Sequence, residues 1–254
     1  MELMAGDVFL MEGTSKLSPA LVAAQKARFY KHARSSHVMF SFGDGVFVHS
    51  TLDAGVEFIP YMAALKDCKD DWRVVRNTLI TSEQKELMQK ASIFFVDQAY
   101  NKKFLFKSND HSSFCSELVA KIYEKAGAPL FGKETGTITP SDFDRAADLD
   151  ESWLDVTQIY KDGFAANDKE PRIFSLAYAT LVGSVKKRQM MMAKTDEIFE
   201  MLKQLVSEES YKKLYKMESD FREKKNISFW NEKAYPQPTF ASKDEGSSET
   251  EKGK

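Results

Sequence analysis

The stretch from His37 to Ser50 leaves the chain few choices. His37-Val38-Met39-Phe40-Ser41-Phe42 and Val46-Phe47-Val48-His49-Ser50 are rich in β-branched and aromatic residues, and Gly43-Asp44-Gly45 supplies turn glycines between them. The segment reads as a β-hairpin. Its register decides what the two histidines can do. A three-residue loop with Gly45 in a left-handed bulge position sets His49 opposite Met39, on the face of His37. A two-residue loop at Asp44-Gly45 sets His49 opposite Phe40 and sends the rings to opposite faces, because a slip of one residue flips a strand.

Around the hairpin the first part of the chain reads as short strands, at Asp7 to Met11, Gly55 to Ile59 and Trp72 to Thr78. A short helix is expected from Ser18, with Ser18 as cap and Pro19 at the first helical position. Thr81-Ser82-Glu83-Gln84 carries a capping-box signature, and Leu87, Met88, Ala91, Phe94 and Phe95 continue at helical spacing toward Tyr100. A further helix runs from near Ser113 to a stop at Gly127, and Thr139-Pro140-Ser141-Asp142 opens another. Beyond Pro171 the character changes to a long helical tract rich in Lys, Glu and Met, reaching about Lys225. Pro236 to Lys254 has almost no apolar residues and reads as disordered.

Lys and Arg number 36 against 38 Asp and Glu among 254 residues, a formal charge of −2. Nothing global draws the chain to nucleic acid. Two cysteines, Cys68 and Cys115, exclude a disulfide-stapled module and fit a reducing compartment or a catalytic thiol. The amino terminus lacks the basic and apolar regions of an export signal, and the most apolar stretch, Ile173 to Val185, falls short of a membrane span. The expected location is the cytoplasm of the producing cell, with specialised export as an option.

All four histidines, His32, His37, His49 and His111, precede Cys115. In His111-Ser112-Ser113-Phe114-Cys115-Ser116-Glu117, either Ser112 or Ser113 can cap the helix, placing Cys115 in its first turn among unpaired N–H groups. That environment favours a thiolate, and the same groups could hold an oxyanion. The alternative is a small buried hydrophobe. A thiolate nucleophile needs a base with an orienting partner, which a same-face His37 and His49 would supply. His32 reads as a solvated or rim residue, and Cys68 as incidental.

Gly6-Asp7-Val8-Phe9, Ser36-His37-Val38 entering a strand, a second polar residue on the next strand, Phe114-Cys115-Ser116-Glu117-Leu118-Val119 and Thr139-Pro140-Ser141-Asp142 together resemble the YiiX/YebB-like branch of the NlpC-type papain-like cysteine hydrolases. The resemblance covers roughly residues 5–150. It implies an α+β, circularly permuted papain-like fold, an antiparallel sheet packed on helices, with a helical C-terminal extension outside the matched region. It implies Cys115 as nucleophile, His37 as general base and His49 as orienting third residue. Ser36, His111, Phe114 and Ser116 are expected as substrate contacts, with orientation of the loop as the other role for His111. Histidine in the third position, often an acid in YiiX-like proteins, is similar to the lecithin:retinol acyltransferase-like enzymes. Ser35 stands where an aromatic residue commonly precedes the Ser-His pair.

The domain expected is residues 1–165, followed by a helical extension over 166–235, packed on it or forming a lid, and a tail over 236–254. The reaction implied is attack of Cys115 on an amide, ester or thioester through an acyl-enzyme, without a cofactor. Lipid-like or small N-acyl substrates are favoured, and a peptidoglycan stem-peptide amidase delivered as an effector is the alternative. Two other classes stay open: a zinc site of His37, His49 and Cys115, and a non-enzymatic interaction protein that meets a partner through Ile198, Phe199, Met201, Leu202 and Leu205.

Overall fold

The computed structural model describes residues 2–103, 108–225 and 227–232; the tail expected over 236–254 lies outside the described residues. The strands are β1 (Val8–Met11), β2 (His37–Gly43), β3 (Val46–Thr51), β4 (Gly55–Pro60), β5 (Arg73–Asn77), β6 (Ala99–Tyr100), β7 (Ser112–Ser113) and β8 (Trp153–Asp155). Six of them form one antiparallel sheet in the order β4-β3-β2-β1-β5-β8, while β6 and β7 make a separate parallel pair. The helices are α1 (Ser18–Arg28), α2 (Tyr61–Ala64), α3 (Ser82–Phe95), α4 (Cys115–Lys125), α5 (Pro140–Leu149), α6 (Thr157–Asn167), α7 (Pro171–Leu205) and α8 (Glu208–Lys225). This is the α+β arrangement expected from the sequence.

The hairpin combines both anticipated loops. Gly43 pairs with Val46, so the turn is the two-residue Asp44-Gly45, with φ of 51° and 83° as a type I′ turn requires. Yet Ser41 pairs with Phe47 and Phe40 with Val48, so β2 carries one extra residue between Ser41 and Gly43. That bulge shifts the register by one and returns His49 to the face of His37. On this face Phe9 meets Phe47 at 5.1 Å, and Phe47 packs against Tyr160 and Phe164 of α6. The opposite face carries the fully buried Val8, Phe40, Val48 and Val56. α4 packs against β2 and β3, with α3 beside it.

Several helix ends differ from the sequence reading. The Thr81 capping box forms as read: Thr81 Oγ1 accepts from the Gln84 N–H at 3.2 Å, and Gln84 Oε1 accepts from the Thr81 N–H at 3.0 Å. The helix stops at Phe95 rather than near Tyr100, because Asp97 takes φ 65° and the chain turns to bond Val56 on β4. Ser18 lies inside α1, with Leu17 in the cap position, and its hydroxyl meets Ser15. β8 and α6, absent from the sequence reading, cover the edge and one face of the sheet. The tract after Pro171 breaks near Ser207, whose hydroxyl accepts from the Ser210 N–H as α8 starts.

Two compact units are present. One runs to Met190 and takes in Ile227–Asn231, and the other begins at Met191, so the division falls within α7 and not near residue 165. In the second unit α7 and α8 fold back on each other through Arg222–Asp196 at 2.8 Å and Phe199 against Tyr211. Of the apolar stripe read from the sequence, Phe199 is buried while Ile198, Met201 and Leu205 are exposed.

In the first unit the chain entering β2 is tied to α5. Asp144, fully buried, accepts from the Arg34 N–H at 2.7 Å and from the Ser35 N–H and hydroxyl at 2.8 Å each, and Arg73 of β5 reaches it at 3.1 Å. Ser35, the departure from the family pattern, is therefore spent on Asp144. Replacing Asp144 with Ala leaves these donors and Arg73 without their acceptor, and should cost about 3–5 kcal/mol in urea unfolding. Asp144→Asn should recover part of it.

Candidate active site

Cys115 is the first residue of α4. Neither Ser112 nor Ser113 caps the helix, as those residues form β7; Phe114 holds the cap position and donates its N–H to Glu117 Oε2 at 3.2 Å. Glu117 is fully buried and also accepts from Asn101 at 2.9 Å and Ser108 at 2.8 Å, with Lys121 one turn on at 3.0 Å. Lys121 Nζ donates in turn to the carbonyls of Asn109 and Ser112 and to Ser113 Oγ. A buried pair is tolerable only when its remaining hydrogen bonds are satisfied, and here they fasten the loop before Cys115. From the other side, Gly55 at φ 70° lets Gln98 approach so closely that a Cβ would sit 2.2 Å from its carbonyl. Gln98 then accepts from Ser113 Oγ at 2.8 Å, and Ser50 donates to the Ser113 carbonyl at 2.6 Å.

The β2–β3 pairing ends at Phe40 and Val48. The backbone N–H groups of Val38, beyond that pair, and of Ser116 act on the Cys115 sulfur. His37 Nε2 and His49 Nδ1 face each other at 3.3 Å with ring planes 80° apart. The β3–β4 ladder sets Glu57 directly opposite His49, with Oε1 3.6 Å from His49 Nε2. Glu57 was not singled out in the sequence; the three-residue connection Leu52-Asp53-Ala54 between β3 and β4 is the signal that could have paired it with His49.

Cys115, His37 and His49 line one cavity of about 760 Å³. Its wall is mostly apolar, with Leu21 and Phe29 from the α1 region, Met39 and Ile59 from the sheet, and Phe114 and Pro140. Of the four expected substrate contacts, Ser36 and Phe114 line this cavity. His111 and Ser116 are outside its lining: His111 is exposed beside Trp230, and Ser116 is fully buried with its hydroxyl donated to the Ile138 carbonyl at 2.7 Å. His32 is exposed next to Tyr30. Among the described residues no group of three or more His, Cys, Asp or Glu side chains is arranged to hold a metal ion, so the zinc reading gains no ligand cluster.

The electrostatics differ from those expected of a helix-start thiol. Burial pushes the Cys115 thiol above its ordinary range, outweighing the N–H groups of Val38 and Ser116 that pull it down. Burial, reinforced by the neighbouring His49, lowers His37 from 6.5 to about 3. At neutral pH Cys115 therefore rests as a thiol and His37 as a neutral imidazole, and His37 Nδ1 is the nitrogen not turned to His49. Cys68 is also buried; desolvation, with Asp71 and Asp70 adding to it, raises its thiol to about 12.

Two outcomes follow for the free protein. Iodoacetamide should label Cys115 slowly at neutral pH, with a rate that climbs only above about pH 8.5, the value of a free thiol; a rate already flat at acidic pH would mean a thiolate–imidazolium pair. Cys68 should label more slowly still. Because the unfolded chain protonates His37 near 6.5 and the folded one near 3, the unfolded state binds the extra proton between those values. Stability contributed by neutral His37 is thus lost as pH falls through that window. The difference in thermal midpoint between the native chain and His37→Asn should shrink on acidification.

The sequence profile of the family described as permuted papain-like amidase enzyme, YaeF/YiiX, C92 family, matches residues 2–149, more than half of the chain. No curated protein matches it. Among solved structures, the one described as metalloprotein YiiX from Escherichia coli O157:H7 is similar over 50% of this chain and 67% of that chain, with 20% identity and a TM-score of 0.38. The matched span contains the whole β1–β5 sheet segment, the histidine pair and the cysteine helix. On that match the chain belongs to the YaeF/YiiX family of permuted papain-like amidases and is a cysteine hydrolase in kind.

Proposed function

We propose that the protein cleaves or transfers acyl groups from an amide, ester or thioester, with Cys115 as nucleophile, His37 as general base and His49 as its orienting partner. The observation that carries this reading is the shared cavity into which the three residues open, with the His37–His49 contact at 3.3 Å at its wall. As Sγ bonds to the substrate carbonyl carbon, its proton passes to His37 Nδ1. The oxygen takes the negative charge near the N–H groups at the start of α4. Collapse of the tetrahedral adduct breaks the bond to the leaving group, which takes the proton from His37. Water, or an acceptor amine, then gives a proton to His37 and attacks the acyl-enzyme, releasing acid or a new amide and restoring the thiol.

Starting from a neutral pair suits this sequence, because the proton moves as the bond forms and no buried charge pair is required at rest. The apolar wall of Leu21, Phe29, Met39, Ile59 and Phe114 favours a substrate with an acyl chain or similar apolar body. The same lining carries Arg28, Asp53 and Asp67, which can pair with a stem peptide's charges, so the lipid-like reading stands ahead on the apolar share of the wall alone.

The test uses p-nitrophenyl octanoate and p-nitrophenyl acetate. The native chain should prefer the longer ester in kcat/KM and give an acyl-enzyme detectable by intact mass. Cys115→Ala should abolish both acylation and turnover, and His37→Ala should reduce turnover by about 100-fold or more. Full turnover by Cys115→Ala would overturn the mechanism, and preference for the acetate would overturn the acyl-chain assignment.

A further inference from the structure

His49 carries an unanswered question in its second nitrogen. Nδ1 faces His37, but Nε2 is buried and has no hydrogen-bond partner among the described residues. An imidazole N–H left in that state loses its solvation without compensation. Glu57 Oε1 is 3.6 Å away, just beyond hydrogen-bond reach, on the residue paired with His49 across β3 and β4. We infer that Glu57 is a positioning residue for the catalytic pair: its carboxylate keeps the His49 proton on Nε2, so that His49 Nδ1 accepts from His37 Nε2–H and His37 Nδ1 stays free for the thiol proton. This inference rests on the reading of Cys115 and His37 as nucleophile and base.

Tautomer logic makes the link specific. If His49 carried its proton on Nδ1, that N–H would confront His37 Nε2, force the His37 proton onto Nδ1 and remove the lone pair that must receive the proton from sulfur. A carboxylate at Nε2 selects the productive tautomer, and its attraction grows as His37 becomes an imidazolium, which draws the contact shorter. Glu57 also supplies the negative charge that a histidine in the third position lacks, one side chain further from the reacting atoms. Its environment fits: the near approach of the His49 imidazole first, against the opposing effect of partial burial, and then the charges of His49 and Lys186, hold its carboxyl below the usual range. Lys186 on α7 and Tyr178, whose hydroxyl is donated to the Phe58 carbonyl at 2.9 Å, are the other titratable groups that face it.

The experiment reads tautomer and rate separately on the full chain. Long-range 15N–1H spectra of the imidazoles near neutral pH report which His49 nitrogen holds the proton, and the nitrophenolate burst from p-nitrophenyl octanoate reports acylation of Cys115. Native protein should show His49 protonated on Nε2. Glu57→Ala should convert it to a mixture with the Nδ1–H form and slow acylation at saturating ester by about fivefold, the factor one half-exposed charge contact supplies. Glu57→Gln, whose amide oxygen can still accept, should fall between the two and covers the case of a poorly folded Ala variant. An unchanged Nε2–H tautomer in the variants, or an unchanged burst rate, would overturn the inference. Cys115→Ala run beside them separates the two claims: a persisting burst would defeat the catalytic reading, whereas the tautomer spectra judge Glu57 without reference to turnover.

Discussion

One extra residue in β2 governs the chemistry available to this fold. The turn at Asp44-Gly45 alone would pair His49 with Phe40, leaving the two imidazoles on opposite faces of the sheet. The bulge between Ser41 and Gly43 shifts the register by one, setting Phe40 opposite Val48, and the rings meet at 3.3 Å. The same face then seats Phe47 against Tyr160 and Phe164, so α6 and the histidine pair depend on one alignment. A slip of one residue would expose the packing and dismantle the site together.

Two buried carboxylates deliver the two halves of that site. Asp144 anchors the backbone just before His37, and Glu117 with Lys121 fastens the segment just before Cys115. Both are satisfied by several donors, the condition under which a buried charge specifies geometry without being left uncompensated. Thr139-Pro140-Ser141-Asp142 belongs to the same arrangement: Thr139 and Asp142 close the start of α5, and that helix presents Asp144 to the loop before β2. The motif lies far from Cys115 in sequence and contributes through position, with Thr139 and Pro140 also bordering the cavity.

The cysteine illustrates competition between two electrostatic effects. A helix start and nearby N–H groups favour a thiolate, but enclosure by the protein acts more strongly and leaves the thiol protonated at rest. His37 is governed the same way, since burial and His49 both oppose its positive form. An imidazole of low affinity for protons and a thiol of high affinity make a poor ion pair, so both groups rest neutral.

The sequence by itself determined the elements that local chemistry fixes: the glycine turn of the hairpin, the Thr81 capping box, the stop at Gly127, where φ is 73°, and a helix that begins around Cys115. It also carried the family pattern that singled out Cys115, His37 and His49. Only the tertiary structure decided which hairpin register holds, because a bulge has no local signature in Ser41-Phe42-Gly43 that separates it from a longer loop. Glu57 opposite His49, Asp144 under Ser35 and the division within α7 are likewise products of non-local pairing. The reversal of the thiol's expected acidity is of the same kind: desolvation depends on what surrounds a side chain on every side, and a linear sequence shows only the neighbours along the chain.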